Sequence, residues 1–201
     1  MKDKCLNSKA EVKDMLATTN CSGNIGLRLM NKTAVIGIGN SILSDDAVGI
    51  KAVNALRTIY NSDFNNTESC DFNLTEFIEV SSGGINLMEY MEGFQRAVVI
   101  DAIVTGRHKA GTVFKFIYPD IPHTKNTVST HDIDLPAAIE LGKHLGISLP
   151  SEIIIFAVEA KDTVNFGEEL TEEVESALKS VISEIKSMLC LPEKPPRQAD
   201  A

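Results

Sequence analysis

The chain predicts an α/β fold: a three-layer α-β-α single domain with a five-stranded, mostly parallel sheet and one antiparallel strand. Three observations carry this. Short apolar runs rich in β-branched residues, among them Thr33 to Ile38, Ala97 to Ile100 and Ile153 to Val158, have the length and composition of buried strands. Amphipathic stretches with apolar residues three and four apart follow most of them, as crossover helices follow parallel strands. Glycines, above all Gly37 and Gly39, mark the junctions between the two kinds of segment.

Composition limits the function classes. At 201 residues the chain suits one well-cored domain, and with 43% hydrophobic and 23% charged residues it has the average balance of a soluble globular protein. A net charge of -9, without a Lys/Arg cluster to offset it, excludes an electrostatic grip on nucleic acid. No apolar run approaches the roughly 20 residues needed to cross a bilayer, and Met1-Lys2-Asp3-Lys4 leads into no apolar signal core. The expected location is the cytoplasm, with no membrane insertion. Cys5, Cys21, Cys70 and Cys190 are scattered without C-x-x-C spacing, so they read as free thiols.

Taken in order, residues 1–32 are polar and glycine-containing and are expected outside the core, ahead of an α/β domain over 33–191 and a mobile tail over 192–201. Thr33 to Ile38 forms the first strand, and Ala47 to Tyr60 the first helix. Asp45 and Asp46 stand at the helix start, where one caps it and the other faces the mouth of the sheet. Leu74 to Val80 alternates as a second strand, and Ser81-Ser82-Gly83-Gly84 turns it into a short helix over Ile85 to Met91, with Leu87, Met88 and Met91 inward. Ala97 to Ile100 is a central strand ending at Asp101. Thr112 to Tyr118 is an alternating strand; with no helix between, these two are expected to pair antiparallel, the later one towards an edge. A long loop from Pro119 to Thr130 leads to Ser129-Thr130-His131 and a helix from Leu135, with Pro136 in its first turn and Asp134 as cap. Gly146 ends that helix, Ile153 to Val158 is another central strand, and Thr171 caps the longest helix. That helix lays Val174, Ala177, Leu178, Val181, Ile182, Ile185 and Leu189 on the sheet until Pro192 ends it.

Few residues carry candidate chemistry. Gly37-x-Gly39 begins a dinucleotide fingerprint, but its third glycine position is Ile42, and no Gly-Lys-Ser/Thr occurs for a P-loop. His108, His123 and His144 lie in no ligand pattern, Ser129 lacks the G-x-S-x-G context of a hydrolase nucleophile, and Cys70 has no evident activation. Glu172, Glu173 and Glu175 read as the solvated first turn of the last helix. Asp46, Asp101 and His131 remain: each falls at a strand or helix end on the C-terminal edge of the sheet, where open α/β folds bind ligands. Two carboxylates and an imidazole suit a borderline divalent ion. The bland alternative is two loop-capping aspartates and a surface histidine. Such positions are expected to face solvent, so that replacing them changes stability little.

The combination Gly37-Ile38-Gly39-Asn40 with Asp45-Asp46-Ala47-Val48-Gly49 resembles the G-x-G-N...D-D/E-x-x-G opening of the hydrogenase maturation endopeptidases. Gly83-Gly84, Ala97-Val98-Val99-Ile100-Asp101-Ala102 and Ser129-Thr130-His131 match later landmarks of that family in the same order, over about residues 33 to 189. The resemblance implies an endopeptidase that removes the C-terminal extension of the large subunit of a nickel-containing hydrogenase after nickel insertion. It implies that Asp46, Asp101 and His131 are catalytic, nickel-recognising residues, and that the nickel belongs to the precursor substrate rather than to a permanent site. An ion that polarises a carbonyl and a water lowers the barrier to hydrolysis. A non-catalytic, nickel-dependent checkpoint or chaperone for the same immature subunit is the alternative. The chain departs from the family pattern in its N-terminal extension and in the aspartate, rather than glutamate, at position 46.

Overall fold

In the computed structural model the described residues are 32–63, 74–81, 86–120 and 135–190. They form β1 (Thr33–Ile38), a 3-10 turn (Ser44–Ala47), α1 (Val48–Asp63), β2 (Thr75–Val80), α2 (Leu87–Met91), β3 (Arg96–Ile103), β4 (Val113–Ile117), α3 (Leu135–His144), β5 (Glu152–Glu159) and α4 (Glu172–Cys190). The strands make one sheet in the order β2-β1-β3-β5-β4. β1, β3 and β5 run parallel at its centre and β2 joins parallel at one edge. Every residue of β1 is buried, which is what the unbroken apolar run requires of a strand covered on both faces.

Alternation along the central strands divides the core into two layers. Val98, Ile100, Ala102, Ile154, Phe156 and Val158 face α1 and α4, against Val53, Leu56, Val181 and Ile185. Ala97, Val99, Ile153 and Ile155 face the other way, against Leu87, Met91 and Ile139 of α2 and α3. Six of the seven apolar positions read from the last helix are buried and Ile182 packs against them partly covered. Leu87, Met88 and Met91 are buried as expected.

The pairing of β4 corrects one expectation. β4 is at the edge and antiparallel, but its partner is β5, with Val113 opposite Val158 and Ile117 opposite Ile154. β3 pairs along its whole length with β5 instead. The physical reason is burial: β3 and β5 are both apolar on both faces and gain most by lying side by side at the centre. β4, with Lys115 and Ile117 exposed, tolerates an edge.

Glycines set how closely α1 approaches the sheet. A Cβ on Gly49 would lie 2.3 Å from the Ile38 carbonyl oxygen and 2.4 Å from that of Ile100, and one on Gly37 would lie 2.1 Å from the Gly49 carbonyl oxygen. No side chain fits in this space. The start of α1 therefore rests on the C-terminal ends of β1 and β3, backbone against backbone. At the other end of the chain's third helix, Gly146 adopts φ 73°, and Ile147 and Gly146 return hydrogen bonds to Gly142 and Lys143. This left-handed C-terminal turn is the one expected at that glycine. The expectations for residues 1–31, Gly83-Gly84, most of the loop after Pro119, the Asp134 cap, Cys70, His123 and the tail lie outside the described residues.

Candidate active site

Asp46 lies in the 3-10 turn between β1 and α1, with no exposed surface. Its Oδ2 accepts the Asn40 amide at 2.8 Å, so the loop leaving β1 folds back onto the carboxylate that follows it. The Asn40 side chain holds the same loop by accepting the Ile42 amide at 3.2 Å. Gly39 makes this closure possible: a Cβ there would lie 2.0 Å from the Asp46 carbonyl oxygen.

Asp101 is not the end of its strand. β3 continues to Ile103, and Asp101 is opposite Ala157 of β5 with only 8% of its surface exposed. Strand alternation gives it the face of Ala97 and Val99, which is the face covered by α2 and α3. Its Oδ1 accepts the Ala102 amide at 2.9 Å. Gly37 is paired with Ile100, so β1 ends beside Asp101, and Gly49, three residues after Asp46, touches Ile100. Asp46 and Asp101 are thus carried to neighbouring places on the C-terminal edge of the sheet. Both are buried, which corrects the expectation that they face solvent: the close approach of α1 covers this edge. His131 lies outside the described residues, although α3, which starts four residues after it, covers the face to which Asp101 belongs. Among the described residues no three His, Cys, Asp or Glu side chains come together as a metal-holding group.

Asp45 does something other than cap α1. The residue before the 3-10 turn, Leu43, makes no side-chain cap bond, and the Asp45 carboxylate points away to a loop more than a hundred residues later in the chain. Asp45 Oδ2 accepts the amides of Lys161 at 2.9 Å and Asp162 at 3.0 Å and the Thr171 hydroxyl at 3.0 Å; Oδ1 accepts the Thr171 amide at 2.7 Å. Four donors around a carboxylate with no exposed surface offset its burial. Thr171 does stand at the start of α4, where its carbonyl accepts the Glu175 amide. Its hydroxyl, expected to cap that helix, donates to Asp45.

The Asp45 bonds belong to a longer seam. The Asp45 amide donates to the Asp162 carbonyl at 2.9 Å, the Ser44 amide to the Gly167 carbonyl at 2.9 Å and the Gly167 amide to the Ile42 carbonyl at 3.1 Å. Ser44 Oγ donates to the Glu169 carbonyl at 3.0 Å. Glu159 is a second buried anchor that the sequence reading passed over: 2% exposed, it accepts the Thr105 amide and hydroxyl and the Gly106 amide. Its signal was available, since Glu159 closes the apolar run Ile153 to Val158 much as Asp101 follows Ala97 to Ile100. The two described histidines have ordinary surroundings: the His108 ring packs edge-on against Phe114, and His144 Nδ1 lies 2.7 Å from the Glu140 carbonyl oxygen.

The chain is 24% identical over 159 residues to the hydrogenase 2 maturation protease of Escherichia coli, spanning 77% of this chain and 88% of that protein. Its fold matches that of an Escherichia coli endopeptidase with a TM-score of 0.64, at 21% identity over 79% of this chain and 91% of the other. It matches the Thermococcus kodakarensis [NiFe] hydrogenase maturation protease HybD with a TM-score of 0.57, at 22% identity over 79% and 99%. The hydrogenase maturation protease family HycI matches residues 63–188, which is more than half of the chain and includes Asp101 and His131, with Asp46 ahead of the matched segment. The chain therefore belongs to the hydrogenase maturation proteases, endopeptidases that hydrolyse peptide bonds.

Proposed function

We propose that this protein removes the C-terminal extension of a nickel-loaded hydrogenase large-subunit precursor, and that Asp46, Asp101 and His131 recognise the nickel carried by that substrate. The observation that carries this reading is the pair of buried carboxylates, Asp46 and Asp101, at neighbouring positions on the C-terminal edge of the sheet of a family member. Buried carboxylates favour a cation beside them, and two carboxylates with an imidazole are a chemically fitting donor set for a nickel ion that keeps other ligands of its own. The metal would supply Lewis acidity at the scissile carbonyl. The protein's own contribution is to hold Asp46 and Asp101 in fixed positions, through the Asn40 and Ala102 amides, at an edge walled by α1.

The test is a mass comparison of the large subunit incubated with and without this protein, before and after nickel loading. Shortening only of the nickel-loaded precursor, lost in Asp46→Asn, Asp101→Asn and His131→Ala, is the expected result. A nickel-loaded precursor that is bound but never shortened would replace this reading with that of a non-catalytic checkpoint.

A further inference from the structure

The seam between residues 42–46 and 161–171 carries an exposed apolar surface. Phe166 is 82% exposed, Val164 80% and Ile42 53%. Single exposed apolar residues are ordinary, but these three belong to two segments locked together by backbone hydrogen bonds, with Gly167 bonded to both Ile42 and Ser44. The loop is also held from within. Asp162 Oδ1 accepts the amides of Val164 at 3.1 Å and Asn165 at 3.0 Å, and its Oδ2 accepts the Asn165 side-chain amide at 2.9 Å. Lys161 is tied to Glu173 at 2.9 Å. Rigid display of apolar side chains lowers the entropy lost on binding a partner. The same turn that presents Ile42 closes on Asp46 through Asn40.

Charge narrows the occupant. The exposed carboxylates of Glu168, Glu169 and Glu172 stand on the shoulder of this loop, within a chain of net charge -9. An apolar patch beside carboxylates complements a segment with apolar side chains next to lysine or arginine. We propose that Ile42, Val164 and Phe166, with Glu168 and Glu169, dock such an apolar-and-basic segment of the protein substrate and so determine which precursor is brought to Asp46 and Asp101. This rests on the protease reading above.

The experiment measures initial rates of shortening of the source organism's nickel-loaded large-subunit precursor, over a range of precursor and salt concentrations, with a parallel pull-down of the same precursor. The variants are Val164→Ser with Phe166→Ser, Glu168→Lys with Glu169→Lys, and Leu145→Ser as a control. Leu145 is 64% exposed but lies near the start of β5, at the opposite end of the sheet. All these positions are exposed, so melting temperatures should stay near that of the unaltered protein. The expected result is a KM raised about tenfold or more by the double serine variant with kcat little changed, as for loss of binding outside the reacting centre. The double lysine variant should raise KM and flatten its dependence on salt, and Leu145→Ser should change neither. If the unaltered protein shortens the precursor and the double serine variant does so with the same KM, the docking surface is wrong and the protease reading stands. If the unaltered protein retains the precursor without shortening it and the double serine variant loses retention, the protease reading falls and the docking surface stands. If the unaltered protein neither shortens nor retains it, both fall.

Discussion

Two adjacent aspartates of the same charge have opposite consequences here, because their surroundings differ. Asp45 satisfies four donors of a distant loop, so Asp45→Ala should strand the part-buried amides of Lys161, Asp162 and Thr171. A loss of about 3 kcal/mol or more in denaturant unfolding is expected from that many unmet bonds. Asp46→Asn keeps the shape and one acceptor for the Asn40 amide, and it should abolish precursor shortening at a stability cost of about 1–3 kcal/mol. Joining it to Asp101→Asn should cost processing hardly more than either alone, since residues that act as one unit are strongly non-additive. Near-normal cleavage by either single variant would remove that residue from the site. The Asp45-Asp46 pair was legible as important from its place before a helix. The sequence reading put Asp46 in the candidate site, but that Asp45 anchors a distant loop was not legible, because residues 161–171 are brought to it only by the fold.

Among the elements, α1 depends most on what it lacks. Gly49→Ala would force a Cβ against two carbonyl oxygens of separate strands, neither of which can yield without breaking its ladder. That variant, and Gly39→Val, should be destabilised by about 3 kcal/mol or be recovered only as aggregate, by more than ordinary overpacking costs. A cooperative unfolding transition like that of the unaltered protein would mean that α1 has room the geometry denies. The loop after β5 has a pH limit of its own. Hydrogen bonds from the Asn165 amide, the Asn165 side chain and the Val164 amide hold the Asp162 carboxyl below its ordinary value of 3.8. A depressed folded-state value means that the carboxylate's stabilisation is present above 3.8 and disappears as pH falls through the lower value. Amide resonances of Val164 and Asn165 should therefore stay unchanged through the neutral range and shift only below about pH 4. Asp162→Asn should remove that low-pH shift. The same loop should keep its Lys161–Glu173 pair across this neutral range, since the pairing raises the lysine and lowers the glutamate.

At the scale of the molecule, the five described strands make one sheet, and the Lys32 carbonyl just ahead of β1 accepts the amides of Gln95 and Arg96 at the start of β3. Deleting residues 1–31, which carry no strong apolar pattern, should leave the melting temperature within about 3 °C and processing intact. A large fall in melting temperature would show that the segment belongs to the core. Local pattern determined much of this protein. Length-limited apolar runs placed the three central strands and alternation the two outer ones, three- and four-residue spacing placed the long helices, and the order of elements set a mostly parallel sheet, because side-chain periodicity is a property of the segment itself. The glycines and aspartates around Gly37 to Gly49 and Asp101 also marked the candidate site before any contact was known. Only the tertiary structure decided that β5 lies between β3 and β4, that Asp101 sits inside its strand and buried, and that Asp45 anchors the loop carrying Phe166. Each of these joins residues far apart in the chain, and partner choice across such distances is settled by which surfaces cover one another best, a quantity that no single segment contains.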